Sequence, residues 1–264
     1  MLLKRIISSI VLIIFITVVT MIDWLCVLAI SIFIILGLYE FFTMLEQKGI
    51  KIYKYFGMMI GSIIPLSLIF RFEVTKAWEL LFILLVFLSL TLMQFMRREN
   101  SGAIVGISTT IFGILYISWF LSFFIRIRYL PQGLALFTMV LFIVKSGDIG
   151  AYLIGTRFGK TPLMPRISPK KTREGAWGGL LFSLLAALAI QPLINFSYLQ
   201  MAILGIALGI LGQLGDLSES LMKRDCGIKD TGNLFPGLGG VLDLVDSLLF
   251  TGPAFYFYMS TILK

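Results

Sequence analysis

Apolar runs close to the length that crosses a bilayer recur along this chain, at 6–22, 24–45, 57–70, 80–96, 103–125, 132–154, 176–195, 199–216 and 240–262. In hydrocarbon every backbone N–H and C=O must find a partner within the protein, so runs of this kind have to be helices. The expected fold is therefore all-α, a polytopic transmembrane protein with about nine transmembrane helices of about 20 residues each. With 58% hydrophobic residues among 264 and a mean hydropathy of +0.98, no stretch is left for a soluble domain. The first run passes directly into Asp23 and the second run with no small-residue cleavage site, and is expected to stay as a helix. Cys26 and Cys226 are too few and too far apart for a disulfide framework or a zinc site.

A formal net charge of +8 could point to nucleic acid, but the placement of the cations argues for a membrane instead. With the N-terminus in the cytoplasm, most of the 22 Lys and Arg fall on that side, and Arg71, Lys76, Arg126, Arg128 and Lys264 fall on the other. This is the positive-inside asymmetry; it predicts an integral protein of the cytoplasmic membrane and no nucleic-acid partner. Residues 1–130 have short loops and sparse charge and are expected to be scaffold helices. Glu40, an acid within the second run, is the exception there, with a hydrogen-bonded or snorkelling structural role expected. Residues 131–264 are expected to form the catalytic region, with cytoplasmic-side connections at 155–175 and 216–240.

The second connection, GDLSESLMKRDCGIKDTGNLFPGLGGVLDLVDS, holds six of the chain's 14 acids. If the helix from 199 continues outward, Asp216, Ser220 and Lys223 share a face, and Gly227 ends it as a cap. Pro236 then excludes regular helix from the loop, while Gly237, Gly239 and Gly240 permit close approach of backbone to a ligand. Asp243 and Asp246 lie three residues apart on one face of the next helix. Asp216, Asp243 and Asp246 are the expected metal face, Asp230 is intermediate, and Glu219 and Asp225 are expected in solvent. Hard oxygen ligands suit Mg²⁺ completed by water and substrate phosphate. The chain has no histidine, which argues against zinc and removes the commonest general base. Phosphoryl or nucleotidyl transfer from a phosphate nucleophile needs no base, only positioning and charge neutralisation. The first connection supplies the cations: after Asp148 come Arg157, Lys160, Arg166, Lys170, Lys171 and Arg173, with Ser168 and Thr172 among them, a density that suits a polyphosphate or an anionic lipid headgroup.

SESLMKRDCGIKDTGNLFPGLGGVLDLVDS resembles the signature of phosphatidate cytidylyltransferases, through Ser220, Lys223, Arg224, Lys229, Asp230, Pro236, Gly237, Gly239, Gly240, Asp243 and Asp246. The upstream GDIGAY and SPKKTREG are similar to that family's preceding segments, so the motifs cover about 141–252. The resemblance implies transfer of CMP from CTP to phosphatidate, giving CDP-diacylglycerol and pyrophosphate, with Mg²⁺, at the cytoplasmic membrane, in a homodimer. It further implies Asp216, Asp243 and Asp246 as metal carboxylates, and Lys223, Arg224 and Lys229 as phosphate-neutralising cations. The loop at 237–240 would approach the triphosphate, and Ser168, Lys170, Lys171 and Thr172 would line the substrate entrance. Two positions depart from the pattern. Leu238 stands where the family has histidine, and Leu244 where it has arginine, each exchanging a phosphate-directed group for an apolar one. The alternatives are a weakened or inactive homologue, another CTP-using lipid enzyme, and a transporter for an anionic solute.

Overall fold

The structure, a computed structural model, describes residues 2–70, 76–194, 196–235 and 237–262. Arg71 and Lys264 of the charge asymmetry, and Pro236 of the glycine-rich loop, lie outside them. The elements run α1 (Leu2–Met21), α2 (Asp23–Gln47), α3 (Lys54–Ile69), α4 (Lys76–Phe95), α5 (Ala103–Gly113), α6 (Phe120–Arg128), α7 (Gly133–Phe158), β1 (Pro162–Met164), β2 (Ser168–Thr172), α8 (Arg173–Ile190), α9 (Tyr198–Asp225), α10 (Val241–Val245) and α11 (Thr251–Ile262). A π-helical stretch over Ile114–Trp119 joins α5 to α6, so 103–128 is one continuous helical rod. Among the described residues five helices are long and apolar enough to cross a membrane: 23–47, 103–128, 133–158, 173–193 and 198–225. Lys54–Ile69 and Leu80–Phe95 are shorter apolar helices.

Two expectations change. The expected single helix over 240–262 breaks into α10, a 3₁₀ turn at Asp246–Leu248, and α11. Pro253 has no N–H to continue a helix from upstream, and it sits in the first turn of α11, where none is needed. The connection at 155–175 adds a strand pair to the helices expected from the sequence: β1 and β2 form an antiparallel hairpin pairing Pro162 with Thr172 and Met164 with Ser168. Pro162, Pro165 and Pro169 disfavour helix there, and the hairpin caps α8 through Thr172, whose hydroxyl accepts the N–H of Gly175 at 3.1 Å.

At 28 residues α9 is ~42 Å long against a hydrocarbon core of ~30 Å, so its polar C-terminal turns project beyond the bilayer core. It starts at a capping box between Ser197 and Gln200. It ends where Gly227 takes φ +71 and Ile228 N–H returns 3.0 Å to the Lys223 carbonyl, the Schellman closure expected of that glycine. Helices α7, α8 and α9 pack through small residues. A Cβ on Gly178 of α8 would come 2.5 Å from Ile154 Cβ of α7, and one on Gly205 of α9 would come 2.8 Å from Ala187 Cβ of α8. Such approach is how helices gain contact area where lipid offers no hydrophobic drive for association. A single buried cluster including Leu38, Phe41, Ile117, Val140, Ile143, Leu204, Leu242 and Leu249 ties α2 and α6 to this trio.

Replacing Gly178 by Val overpacks this seam and is expected to cost ~1–3 kcal/mol. The thermal midpoint of the detergent-solubilised protein should fall by several degrees, while Ile149→Val, on an exposed face of α7, should leave it unchanged.

Candidate active site

The polar end of α9 meets the 231–248 segment at Gly215. A Cβ there would collide with the carbonyl oxygen of Asp246, and Gly212 faces Ser247, so the 3₁₀ turn lies directly on the helix. The turn brings the Asp246 carboxylate to those of Asp216 and Glu219, and one oxygen from each lies within 4.8 Å of the others. Glu219, expected in solvent, is 1% exposed. Its position carried the signal: it stands three residues after Asp216 and four before Lys223, on the same helical face.

Asp243 stands apart from this group. As the N3 residue of α10 its Oδ2 accepts the Gly240 N–H at 2.8 Å and the Thr231 N–H and hydroxyl at 2.9 Å each, and its Oδ1 accepts Lys223 Nζ at 2.6 Å. The capping position turns it back over the glycine loop. It lies in the connection outside the five long membrane helices. Burial alone would raise its pKa; the Lys223 ammonium and the N–H groups of Gly240 and Thr231 outweigh that and hold it below the usual aspartate range. Asp246, in the 3₁₀ turn of the same connection, is pushed well above that range by burial and by the neighbouring Asp216 and Glu219 carboxylates.

Three lysines offset this charge. Lys223 Nζ lies 2.6 Å from Asp243 and 2.5 Å from Glu219, both of whose oxygens are buried; beyond this ion pair the Glu219 carboxylate meets no donor among the described residues. Lys171 of β2 lies 2.6 Å from Asp216 Oδ1 and 3.4 Å from the Ser220 hydroxyl. Lys145 of α7 donates to Asp148 Oδ2 and the Leu244 carbonyl at 3.0 Å each and to Ser247 Oγ at 2.9 Å. The Ser247 hydroxyl in turn donates to Asp148 Oδ2 at 2.9 Å. From α2, Glu40 accepts the Val241 and Leu242 N–H groups and the Thr231 hydroxyl, in keeping with the hydrogen-bonded role expected of it.

The remaining sequence-selected residues spread around this centre. Lys170, Lys229 and Asp230 are exposed and Ser168 is half-buried. Arg224 is exposed and ties the turn between β1 and β2 to the end of α9 through the carbonyls of Ile167 and Ile228, 3.3 Å each. Thr172 serves α8 as its cap. Gly237 and Gly239 adopt φ +83 and +100, and a Cβ on Gly239 would come 2.5 Å from Asp243 Oδ2. Leu238 donates its N–H to the Phe235 carbonyl within the loop, and the Leu244 side chain packs on the core.

Asp216, Glu219 and Asp246 fit a hard divalent cation: oxygen donors only, close together, with the Glu219 oxygens buried and short of donors. These features define a polytopic helical membrane protein with a candidate cation-holding group of three acids. The cytidylyltransferase family model matches residues 3–262, and the chain belongs to that family. It is 33% identical to a protein named phosphatidate cytidylyltransferase from Synechocystis sp., over 91% of this chain and 90% of that one. It is 32% identical to another of that name from Bacillus subtilis, over 85% and 84%. It is also 35% identical to YnbB of Escherichia coli, a protein described as uncharacterized, over 74% and 68%.

Lys223→Met would leave Glu219 and Asp243 buried without their cation and is expected to cost ~3–5 kcal/mol in stability. Thermal unfolding in detergent checks this, and adding Glu219→Gln should recover part of the loss because one of the two stranded charges is gone.

Proposed function

We propose that the chain transfers CMP from CTP to phosphatidate, giving CDP-diacylglycerol and pyrophosphate. The observation that carries the reading is the meeting of Asp216, Glu219 and Asp246 at the projecting end of α9, in a chain of the cytidylyltransferase family. A phosphate oxygen of phosphatidate bonds to the α-phosphorus of CTP as the bond from that phosphorus to the β-bridging oxygen breaks, and pyrophosphate departs with the electron pair. The nucleophile is already an anion at neutral pH, which agrees with a chain that contains no histidine.

In this reading Asp216, Glu219 and Asp246 would hold Mg²⁺, which supplies charge neutralisation and phosphate orientation when bound. Asp243 orients Lys223, whose buried ammonium lies against Glu219 of the carboxylate group. Lys171 starts on Asp216 and is free to turn its charge to a phosphate oxygen. Lys170, Lys229 and Arg224, exposed around the entrance, attract the two anionic substrates. The positive-inside pattern supports a cytoplasmic orientation of this end, where CTP is available. Leu238 and Leu244 favour a second reading, a homologue of reduced activity, because each is apolar where a phosphate-directed side chain belongs in the family signature.

Purified protein with Mg²⁺, CTP and phosphatidate is expected to release pyrophosphate and form CDP-diacylglycerol. Asp246→Asn or Glu219→Gln should lower kcat by about 10²–10³, the scale of losing one charge-stabilising group. Turnover no higher than that of Asp216→Asn would sink the claim of an active enzyme. If turnover is low and Leu238→His with Leu244→Arg raises it, the second reading is correct.

A further inference from the structure

We propose that Glu40, from the N-terminal part of the chain, is a positioning residue for the carboxylate centre. The inference rests on the reading of Asp216, Glu219 and Asp246 as the cation-holding group. Glu40 lies on α2 and is 8% exposed. Its Oε1 accepts the N–H of Val241 at 2.9 Å, and its Oε2 accepts the N–H of Leu242 at 2.8 Å. These are the first two amides of α10, which as opening residues of a helix have no intrahelical acceptor. Buried donors without a partner are costly, so the Glu40 carboxylate sets where α10 begins.

The surroundings are cut to receive it. A Cβ on Gly232 would come 2.7 Å from Glu40 Oε1, and one on Gly240 would overlap the same carboxylate. Two glycines of the loop are therefore spaces for Glu40, not for a ligand. The Thr231 hydroxyl stands 3.1 Å from Glu40 Oε2 and 2.9 Å from Asp243 Oδ2, and its single proton bridges two acids of different helices. From there contacts run to both ends of the centre. Asp243 holds Lys223 against Glu219, and α10 leads within one turn into Asp246, seated on Gly215. Moving the start of α10 moves Asp246 relative to Asp216, so cation geometry depends on a residue of α2 that touches neither cation nor substrate.

Glu40→Gln keeps the shape but turns an amide NH₂ toward a backbone donor, so one N–H of α10 loses its acceptor. Hydrogen–deuterium exchange and Mn²⁺ binding by electron paramagnetic resonance on the full chain in detergent test the proposal without turnover. Glu46→Gln, on the partly exposed partner of Lys54, is the control. For Glu40→Gln, peptides covering 240–248 should exchange faster and Mn²⁺ affinity should fall about tenfold, the effect of one hydrogen bond to a charged group. Where the wild type turns over, kcat normalised to the folded fraction should fall by a similar factor of about ten while KM for phosphatidate stays within about twofold; the normalisation is needed because a loss of folded protein alone also lowers apparent kcat at unchanged KM. Wild-type exchange and Mn²⁺ affinity in Glu40→Gln would overturn the proposal. If that variant does not fold, Thr231→Val decides: several-fold weaker Mn²⁺ binding supports the link, and unchanged binding overturns it. A wild type that binds Mn²⁺ but makes no CDP-diacylglycerol refutes the proposed reaction and leaves this inference standing, whereas one that binds no Mn²⁺ overturns both.

Discussion

The close approach of the Asp246 turn to α9 at Gly215 is the contact on which the carboxylate centre depends. Without it Asp216 and Glu219 would be two acids on a helix face, and Asp246 would belong to another helix altogether. Backbone lies on backbone because neither Gly212 nor Gly215 has a side chain to hold it off. Three carboxylates are thus gathered, and at Glu219 no backbone N–H among the described residues relieves their mutual repulsion. Repulsion at that spacing is paid for only by cations, and the chain brings Lys145, Lys171 and Lys223 to its edges.

The helical runs, the outward extension of α9 and its stop at Gly227 could be read from the sequence, because each has a local cause: apolar length, continued periodicity and a residue that tolerates positive φ. The face shared by Asp216, Ser220 and Lys223 followed from the same periodicity. Asp243 and Asp246 show where that argument ends. Their spacing places them together only if the segment is one regular helix, and here it is a single turn of α-helix followed by 3₁₀ geometry. The capping position of Asp243 turns it to the loop, and the change of helix type leaves Asp246 facing α9. Glu219 was readable in principle, since its spacing matches its neighbours; its burial was not, because that depends on what packs over α9.

The tertiary partners were the hidden part. Glu40 meets residues about 200 positions away, at Val241 and Leu242, and no local pattern encodes such a pairing. Lys145 is similar. In sequence it is one cation among many on a favoured side, and in the fold it holds the Leu244 carbonyl, Ser247 and Asp148 together. That carbonyl contact also gives position 244 a backbone function that is indifferent to whether its side chain is leucine.

The order of charges along α9 bears on the proposed chemistry. Asp216 and Glu219 come first and Lys223 and Arg224 follow, so the cations spring from turns nearer the emerging end, with the Lys223 ammonium folded back onto Glu219. An anion arriving from water meets the cations before it reaches the acids, which a triphosphate could not approach without a metal to invert their charge. In the proposed reaction phosphatidate would come from the bilayer, with its headgroup near the level where α9 leaves the hydrocarbon. A long helix with acids inside and bases outside thus offers one place where a soluble nucleotide and a lipid headgroup can share a cation, while their bulk stays in the phase each prefers.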